Sequence, residues 1–258
     1  MKTTGNKILI TGGGSGIGRA LAEAFYALGN KVIVAGRRRD VLEEVTRGKP
    51  GMFAATLDIA SGADIAEFGA RITGEHPDLN VVIHNAGIMR PEAIVKGGTA
   101  DAEAMVATNL LGPIRLTAAL LPTLLVQPEA AIMTVSSGLA FVPLAMTPTY
   151  CATKAAIHSY TQSLRYQLKG TKVQVLELAP PYVQTELMGE GQASDPRAMP
   201  LAEFISEVMS ILREKPEATE VLVKRVEPLR HAEANGGYAE FFTKFNDAMA
   251  APTEGAGH

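Results

Sequence analysis

The stretch Thr11-Gly12-Gly13-Gly14-Ser15-Gly16-Ile17-Gly18 restricts the fold of this chain more than any other. Before it, Lys7-Ile8-Leu9-Ile10-Thr11 reads as a strand. After it, Gly16 to Leu28 carries Ile17, Ala20, Leu21, Ala24, Phe25 and Leu28 at helical spacing. Glycines in that turn let the backbone bend sharply and approach a pyrophosphate closely. The helix N-terminus then presents free N–H groups and the positive end of its dipole to the phosphates. An ordinary strand-to-helix turn is the competing reading, and the order strand, glycine turn, helix argues against it.

Beyond the turn, short β-branched runs alternate with helical patterns. Strands are expected at 31–35, 52–57, 80–84, 130–135, 172–178 and 221–223, and helices at 40–46, 61–75, 100–125, 149–168 and 201–213. The strands are almost continuously apolar, as in a parallel sheet buried on both faces. The expected fold class is therefore α/β: a Rossmann-type doubly wound parallel sheet with helices on both faces. The 258 residues contain no repeat or low-complexity linker, so residues 1–250 are expected to form one domain, with a flexible tail at 251–258.

The glycine spacing is T-G-x-x-x-G-x-G, and at this point the chain resembles the short-chain dehydrogenase/reductase family of single-domain enzymes. The resemblance is strong from Lys7 to about Thr185. It implies a nicotinamide dinucleotide held by Gly12, Ser15, Gly16, Ile17 and Gly18. At the end of the second strand an acidic residue would bond the ribose 2′-OH of NAD. Here Gly36 is followed by Arg37-Arg38-Arg39. Arg37 can bind a 2′-phosphate bidentately, so NADP (NADPH) is expected and NAD is less favoured. Asp58, with Ile59 beside it, resembles the family's aspartate facing the adenine amino group. His84-Asn85-Ala86-Gly87 resembles the family's N-N-A-G turn, with His84 replacing its first Asn and small residues letting the cofactor lie on the backbone.

Tyr150 and Lys154 stand at i and i+4 on the long helix, roughly 6 Å apart at Cβ. A phenol titrates near 10 and is a poor base at neutral pH. A nearby ammonium lowers that value, and reaching ~7 takes roughly 4 kcal/mol of differential interaction. The lysine and the positive nicotinamide of an oxidised cofactor are expected to supply it together. Ser137 precedes Tyr150 at the family's spacing and would hold the substrate oxygen. Asn109 matches the family's fourth catalytic residue, whose carbonyl holds a water linking the lysine to solvent. The reaction implied is hydride transfer between nicotinamide C4 and a carbonyl or secondary alcohol carbon, with Tyr150 as acid or base.

After the sixth strand the family's P-G-x-x-x-T becomes Pro180-Pro181-Tyr182-Val183-Gln184-Thr185. Pro180, Val183 and Thr185 are expected at the nicotinamide end, while Pro181 stiffens the turn. Leu176 to Pro181 resembles the DltE-like branch associated with D-alanyl transfer operons. The Gly-, Pro- and Ser-rich segment from Tyr182 opens a region, residues 182–213, that is expected to form a substrate lid. Leu139, Tyr182 and Met188 are candidates for the substrate wall.

Other classes lack support in the sequence. Net charge is −3 with no basic stripe, so no nucleic-acid partner is expected. The lone Cys151 precludes a disulfide framework, and the histidine spacings suggest no metal site. The N-terminus lacks a signal-peptide pattern, and the apolar stretch Ala118 to Val126 falls short of the ~18 residues of a membrane span. A cytoplasmic enzyme with a small-molecule carbonyl or alcohol substrate is expected, as a homodimer or homotetramer. The alternatives are a dinucleotide-sensing regulator without turnover, and an epimerase, for which too few residues follow Thr185.

Overall fold

A computed structural model describes residues 1–250; the tail expected at 251–258 lies outside the described residues. In chain order the elements are β1 (Lys7–Thr11), α1 (Gly16–Ala27), β2 (Lys31–Gly36), α2 (Arg39–Thr46), β3 (Met52–Thr56), α3 (Gly62–Glu75) and β4 (Val81–His84). There follow α4 (Ala100–Val106), α5 (Gly112–Leu125), β5 (Ala130–Val135), α6 (Pro148–Gln167), β6 (Val173–Leu178), α7 (Glu190–Ser194), α8 (Leu201–Glu214), β7 (Glu220–Val221), α9 (Glu227–Arg230) and α10 (Tyr238–Ala250). The strands form one parallel sheet in the order β3-β2-β1-β4-β5-β6-β7. The order reverses between β1 and β4. Ligands of such sheets bind outside the strand ends at that switch point.

Both faces of the sheet are covered, which explains the apolar runs. Ile8, Ile10, Val32 and Val34 point into a core with α1, α2 and α8. Their alternates Leu9 and Ile33 point into a second core with α3, α5 and α6. Ser61 caps α3 as its sequence suggests, accepting a bond from the Asp64 N–H at 3.2 Å.

Three elements differ from the sequence reading. The expected lid at 182–213 divides in two. Residues 182–200 are a loop with the short helix α7, whereas α8 is a core helix whose Phe204, Val208 and Leu212 are fully buried. The last strand is Glu220–Val221 rather than 221–223. Finally, the run Ala100–Leu125 is long and apolar enough to cross a membrane by length and composition. A count of uninterrupted apolar residues passed over it; its Leu116, Leu120 and Leu124 lie in the core against the sheet.

Candidate active site

The cleft lies at the switch point and has two lobes. One, of about 230 Å³, is lined by Gly12, Gly14, Ser15, Gly36, Arg37, Asp58, Ile59 and Gly87 among others. The second, of about 480 Å³, continues past Ser15, Gly16, Ile17, Asn85 and Ala86 to Ser137, Tyr150, Lys154, Pro180, Val183 and Thr185.

The floor is largely backbone. Gly12 sits at φ +68, and a Cβ there would lie 2.9 Å from the Ala86 Cα. Gly18 does not line the cleft but packs behind it, where a Cβ would lie 2.3 Å from the Gly12 carbonyl oxygen. The Asn85 side chain fastens the turn by donating to the Thr11 carbonyl at 3.0 Å. Ser15 is the N-cap of α1, yet its side chain bonds none of the helix N–H groups. Those donors are left for a ligand. A two-lobed cleft with a bare backbone floor and an uncapped helix start fits an elongated dinucleotide.

At the outer lobe, Arg37 and Arg38 both line the cavity, and among the described residues neither makes an ion pair. Arg39 instead pairs with Glu43 at 2.7 Å on the helix surface. Asp58 faces the lobe while one of its oxygens accepts from the Ala60 N–H at 3.0 Å.

At the inner lobe, Tyr150 is buried with its hydroxyl toward the Ser137 side chain, whose Oγ accepts from the Leu139 N–H at 3.1 Å. Burial pushes the phenol well above its ordinary range, and the nearby Ser137 hydroxyl offsets part of that. The expected lowering by Lys154 is not seen in the protein alone: burial sets the direction, and the lysine is not among the groups that shift the phenol. The Lys154 ammonium lies 5.5 Å from the Tyr150 ring centre and donates to the Val135 carbonyl at 2.8 Å. Burial lowers Lys154 to about 8, and the Glu177 carboxylate acts in the opposite direction.

Asn109 sits in a π-helical turn, Ala107–Leu111, between α4 and α5. Such turns recur at functional sites. Its side chain is buried, accepting from the Ile88 N–H at 2.9 Å and donating to the Ile88 carbonyl at 2.9 Å. It also reaches Thr153 on α6 at 3.2 Å, so it ties the segment after β4 to the catalytic helix.

The substrate-side expectations fare less well. Leu139 packs on the cluster around Tyr150 but does not itself line the cleft. Tyr182 and Met188 do not line the cleft: the Tyr182 hydroxyl donates to Asp195 at 3.2 Å, and Met188 offers its backbone N–H to Gln192 at 3.1 Å. Gln192 also bonds Thr185 at 3.1 Å, fixing the nicotinamide-end loop. Sequence reasoning missed Met89, Arg90, Leu187 and Gln192, which line the inner lobe, and Phe245 and Met249 of α10, which pack on the Tyr150 cluster. The stretch Tyr238 to Met249 is amphipathic, a pattern that gives no sign of where α10 docks. Cys151 is buried, and burial raises its thiol, as suits a packing residue.

Outside the cleft, His158, Glu177 and Glu220 come within 4.8 Å of one another. Their separation in sequence hides this. A cation is already beside them, since Arg230 bonds Glu220 at 3.0 Å.

Comparison with known proteins gives a consistent picture. The family model described as short chain dehydrogenase matches residues 6–195. An uncharacterized oxidoreductase, DltE of Bacillus subtilis (strain 168), is 39% identical over 252 residues, covering 95% of this chain and 98% of its own. The closed form of serine dehydrogenase complexed with NADP+ superposes with a TM-score of 0.73 at 28% identity, over 80% of this chain and 88% of that one. A 3-ketoacyl-(acyl-carrier-protein) reductase from Brucella melitensis, complexed with NADH, gives 0.77 at 25% identity, over 87% and 100%.

Proposed function

This chain belongs to the short-chain dehydrogenase/reductase family, in its DltE-like branch, and on that basis we propose that it is an NADP(H)-dependent oxidoreductase interconverting a carbonyl and a secondary alcohol. The family and the ligands of its structural neighbours support a nicotinamide cofactor. The observation that carries the rest is the inner lobe, where Ser137, Tyr150 and the buried Lys154, 5.5 Å from the Tyr150 ring centre, line one cavity with the glycine floor.

The cofactor would lie along Gly12, Ser15, Gly16, Ile17, Asp58, Ile59, Asn85, Ala86 and Gly87, with its far end near Pro180, Val183 and Thr185. Bound there, a reduced nicotinamide supplies a hydride to a carbonyl carbon. Tyr150 gives its proton to the substrate oxygen, and the burial that keeps the phenol protonated suits it to that task. Ser137 donates to the same oxygen and orients it. Lys154, charged below about 8, stabilises the tyrosinate left behind. Asn109 holds the β4 turn against α6. Arg37 and Arg38, which make no ion pair among the described residues, favour NADP over NAD, because guanidinium matches a 2′-phosphate. A cytoplasmic location and a homodimer or homotetramer belong to the same proposal.

The test follows absorbance of the reduced nicotinamide with NADPH and NADH in parallel, over ketones, aldehydes, diketones and ketoacyl thioesters. Turnover should favour NADPH, and Tyr150→Phe should lower kcat by ~10²–10⁴-fold. A preference for NADH would remove the role given to Arg37. Binding of both cofactors with no turnover would favour the sensing alternative.

A further inference from the structure

The first turn of the catalytic helix is capped from outside it. Thr147 is the N-cap of α6, yet its side chain bonds none of the helix N–H groups. Its hydroxyl turns instead to the Leu144 carbonyl at 3.4 Å and the Cys151 sulfur at 3.7 Å. Pro148 begins the helix and has no N–H to satisfy. The Thr149 N–H is thus the first donor left over, at a position that a cap side chain ordinarily serves. No acidic residue of the first turn is at hand, and Glu92, 57 residues upstream, takes the place of one. Its Oε1 accepts from the Thr149 N–H at 2.9 Å, and its Oε2 from the Thr149 hydroxyl at 2.8 Å. A carboxylate there also meets the positive end of the helix dipole.

We infer that Glu92 is a positioning residue for Tyr150: its two bonds to Thr149 fix the stretch of backbone from which the phenol is aimed. This rests on the oxidoreductase reading above and adds to it a residue that does not itself line the cleft. Tyr150 follows Thr149 directly, so a turn of the helix that loosens at Thr149 carries the phenol with it, and small misplacements of a reacting group are costly. Downstream of Tyr150 the helix is tied by Asn109 to Thr153 and by Lys154 to the Val135 carbonyl. Glu92 is the counterpart upstream. Its own segment is fastened too. The Glu92 N–H donates to the Met146 carbonyl at 2.9 Å, just ahead of α6, and two residues earlier Arg90 pairs with Asp101 on α4. Met89 and Arg90 line the inner lobe with Tyr150. The Glu92 carboxylate therefore joins one wall of the cleft to the start of the helix that bears the acid.

The test compares Glu92→Ala, Glu92→Gln and Thr149→Val in the full chain. Glutamine can keep both contacts, because the Thr149 hydroxyl can turn to accept from its amide; alanine keeps neither, and Thr149→Val keeps only the N–H bond. In turnover with NADPH, Glu92→Ala should lower kcat about tenfold while KM stays within about twofold. Thr149→Val should lose less, and Glu92→Gln should recover most of the rate. A second readout needs no turnover: the Cζ resonance of Tyr150 in tyrosine-labelled protein, assigned with Tyr150→Phe. It should shift or broaden in Glu92→Ala and return toward the wild-type position in Glu92→Gln. A wild type without turnover would count against the oxidoreductase reading and leave the resonance to decide this inference. An unmoved resonance in folded Glu92→Ala overturns it. So does a raised KM at unchanged kcat, which would make Glu92 a support for the Met89 and Arg90 wall alone. If Glu92→Ala does not fold, Thr149→Val decides by the same two readouts.

Discussion

The two sides of the cleft are made of different material. Toward the cofactor the surface is main chain, with Gly12, Gly14, Gly16 and Gly87 presenting bare peptide groups to the lumen. Around Tyr150 it is side chains from distant segments: Met89 and Arg90 after β4, Ser137 after β5, and Leu187 and Gln192 after β6, with Leu139, Leu144, and Phe245 and Met249 of α10 packed behind them in the Tyr150 cluster. A main-chain surface demands the absence of a Cβ at fixed positions, which leaves glycines at fixed spacing. A side-chain surface demands only apolar bulk, which many residues supply. The first is rigid and general to a cofactor, whereas the second is free to follow a substrate.

The largest break of this contrast comes from adding a single methyl to the main-chain side. In Gly18→Ala the new Cβ would meet the Gly12 oxygen and the Asn85 amide at 2.3 and 2.4 Å. Neither neighbour is the free end of a flexible chain, since Asn85 is itself bonded to the turn. The turn must move, at a cost of about 3 kcal/mol. NADPH affinity, followed by fluorescence titration, should fall by about a hundredfold or more. Retained affinity would show that the turn is not the cofactor's seat.

A second effect, close in size, lies behind the same side. His84 ends β4 fully buried, with Nε2 2.9 Å from the Thr117 hydroxyl and Nδ1 without a partner. Burial lowers it to about 4. An unfolded histidine titrates near 6.5. Between those values the unfolded chain binds a proton that the native chain refuses, so stability falls as pH falls from about 6.5 to 4. The full loss amounts to about 3 kcal/mol. His84→Asn should flatten the decline of Tm over that window. An unchanged slope would mean that His84 takes up its proton in the folded state.

The contrast also explains what was legible in the sequence. Strand and helix periodicity gave the doubly wound sheet, because burial on both faces forces continuous apolar runs such as Val32-Ile33-Val34. Tyr150 and Lys154 were legible because one helix turn fixes their spacing, and Ser137 through the spacing it shares with the family. Asn109 was legible as a position, but its π-turn was not, since no residue type encodes it. Residues 201–213 were read as a helix but grouped with the lid, because helical spacing does not say which surface an apolar stripe covers, and here it covers the core. Tyr182 and Met188 were misplaced because an aromatic or a methionine beside a site looks the same whether it faces the lumen or, like Tyr182, a carboxylate behind the loop. Glu177 and His158 could not be paired at all, since only the packing of α6 on β6 brings them together.

The smallest expected effect tests the side-chain half of the contrast. Helix α10 is fastened to the segment after β5 by Asn246, whose amide oxygen accepts from the Ala145 N–H at 2.6 Å and whose NH₂ donates to the Pro143 carbonyl at 3.1 Å. Tyr238 adds a bond to the Phe141 carbonyl at 3.3 Å. These anchors survive truncation of Phe245, which is half-buried against the Tyr150 cluster. Removing its ring therefore takes away apolar contact without loosening the helix. If that ring supports the substrate, Phe245→Ala should raise KM for bulky ketones about tenfold, roughly 1.4 kcal/mol, and change KM for small aldehydes little. NADPH affinity should stay within about twofold, because the glycine floor is untouched. Equal losses for bulky and small substrates would instead make α10 a brace for Tyr150, and the two sides of the cleft would then be one structure rather than two.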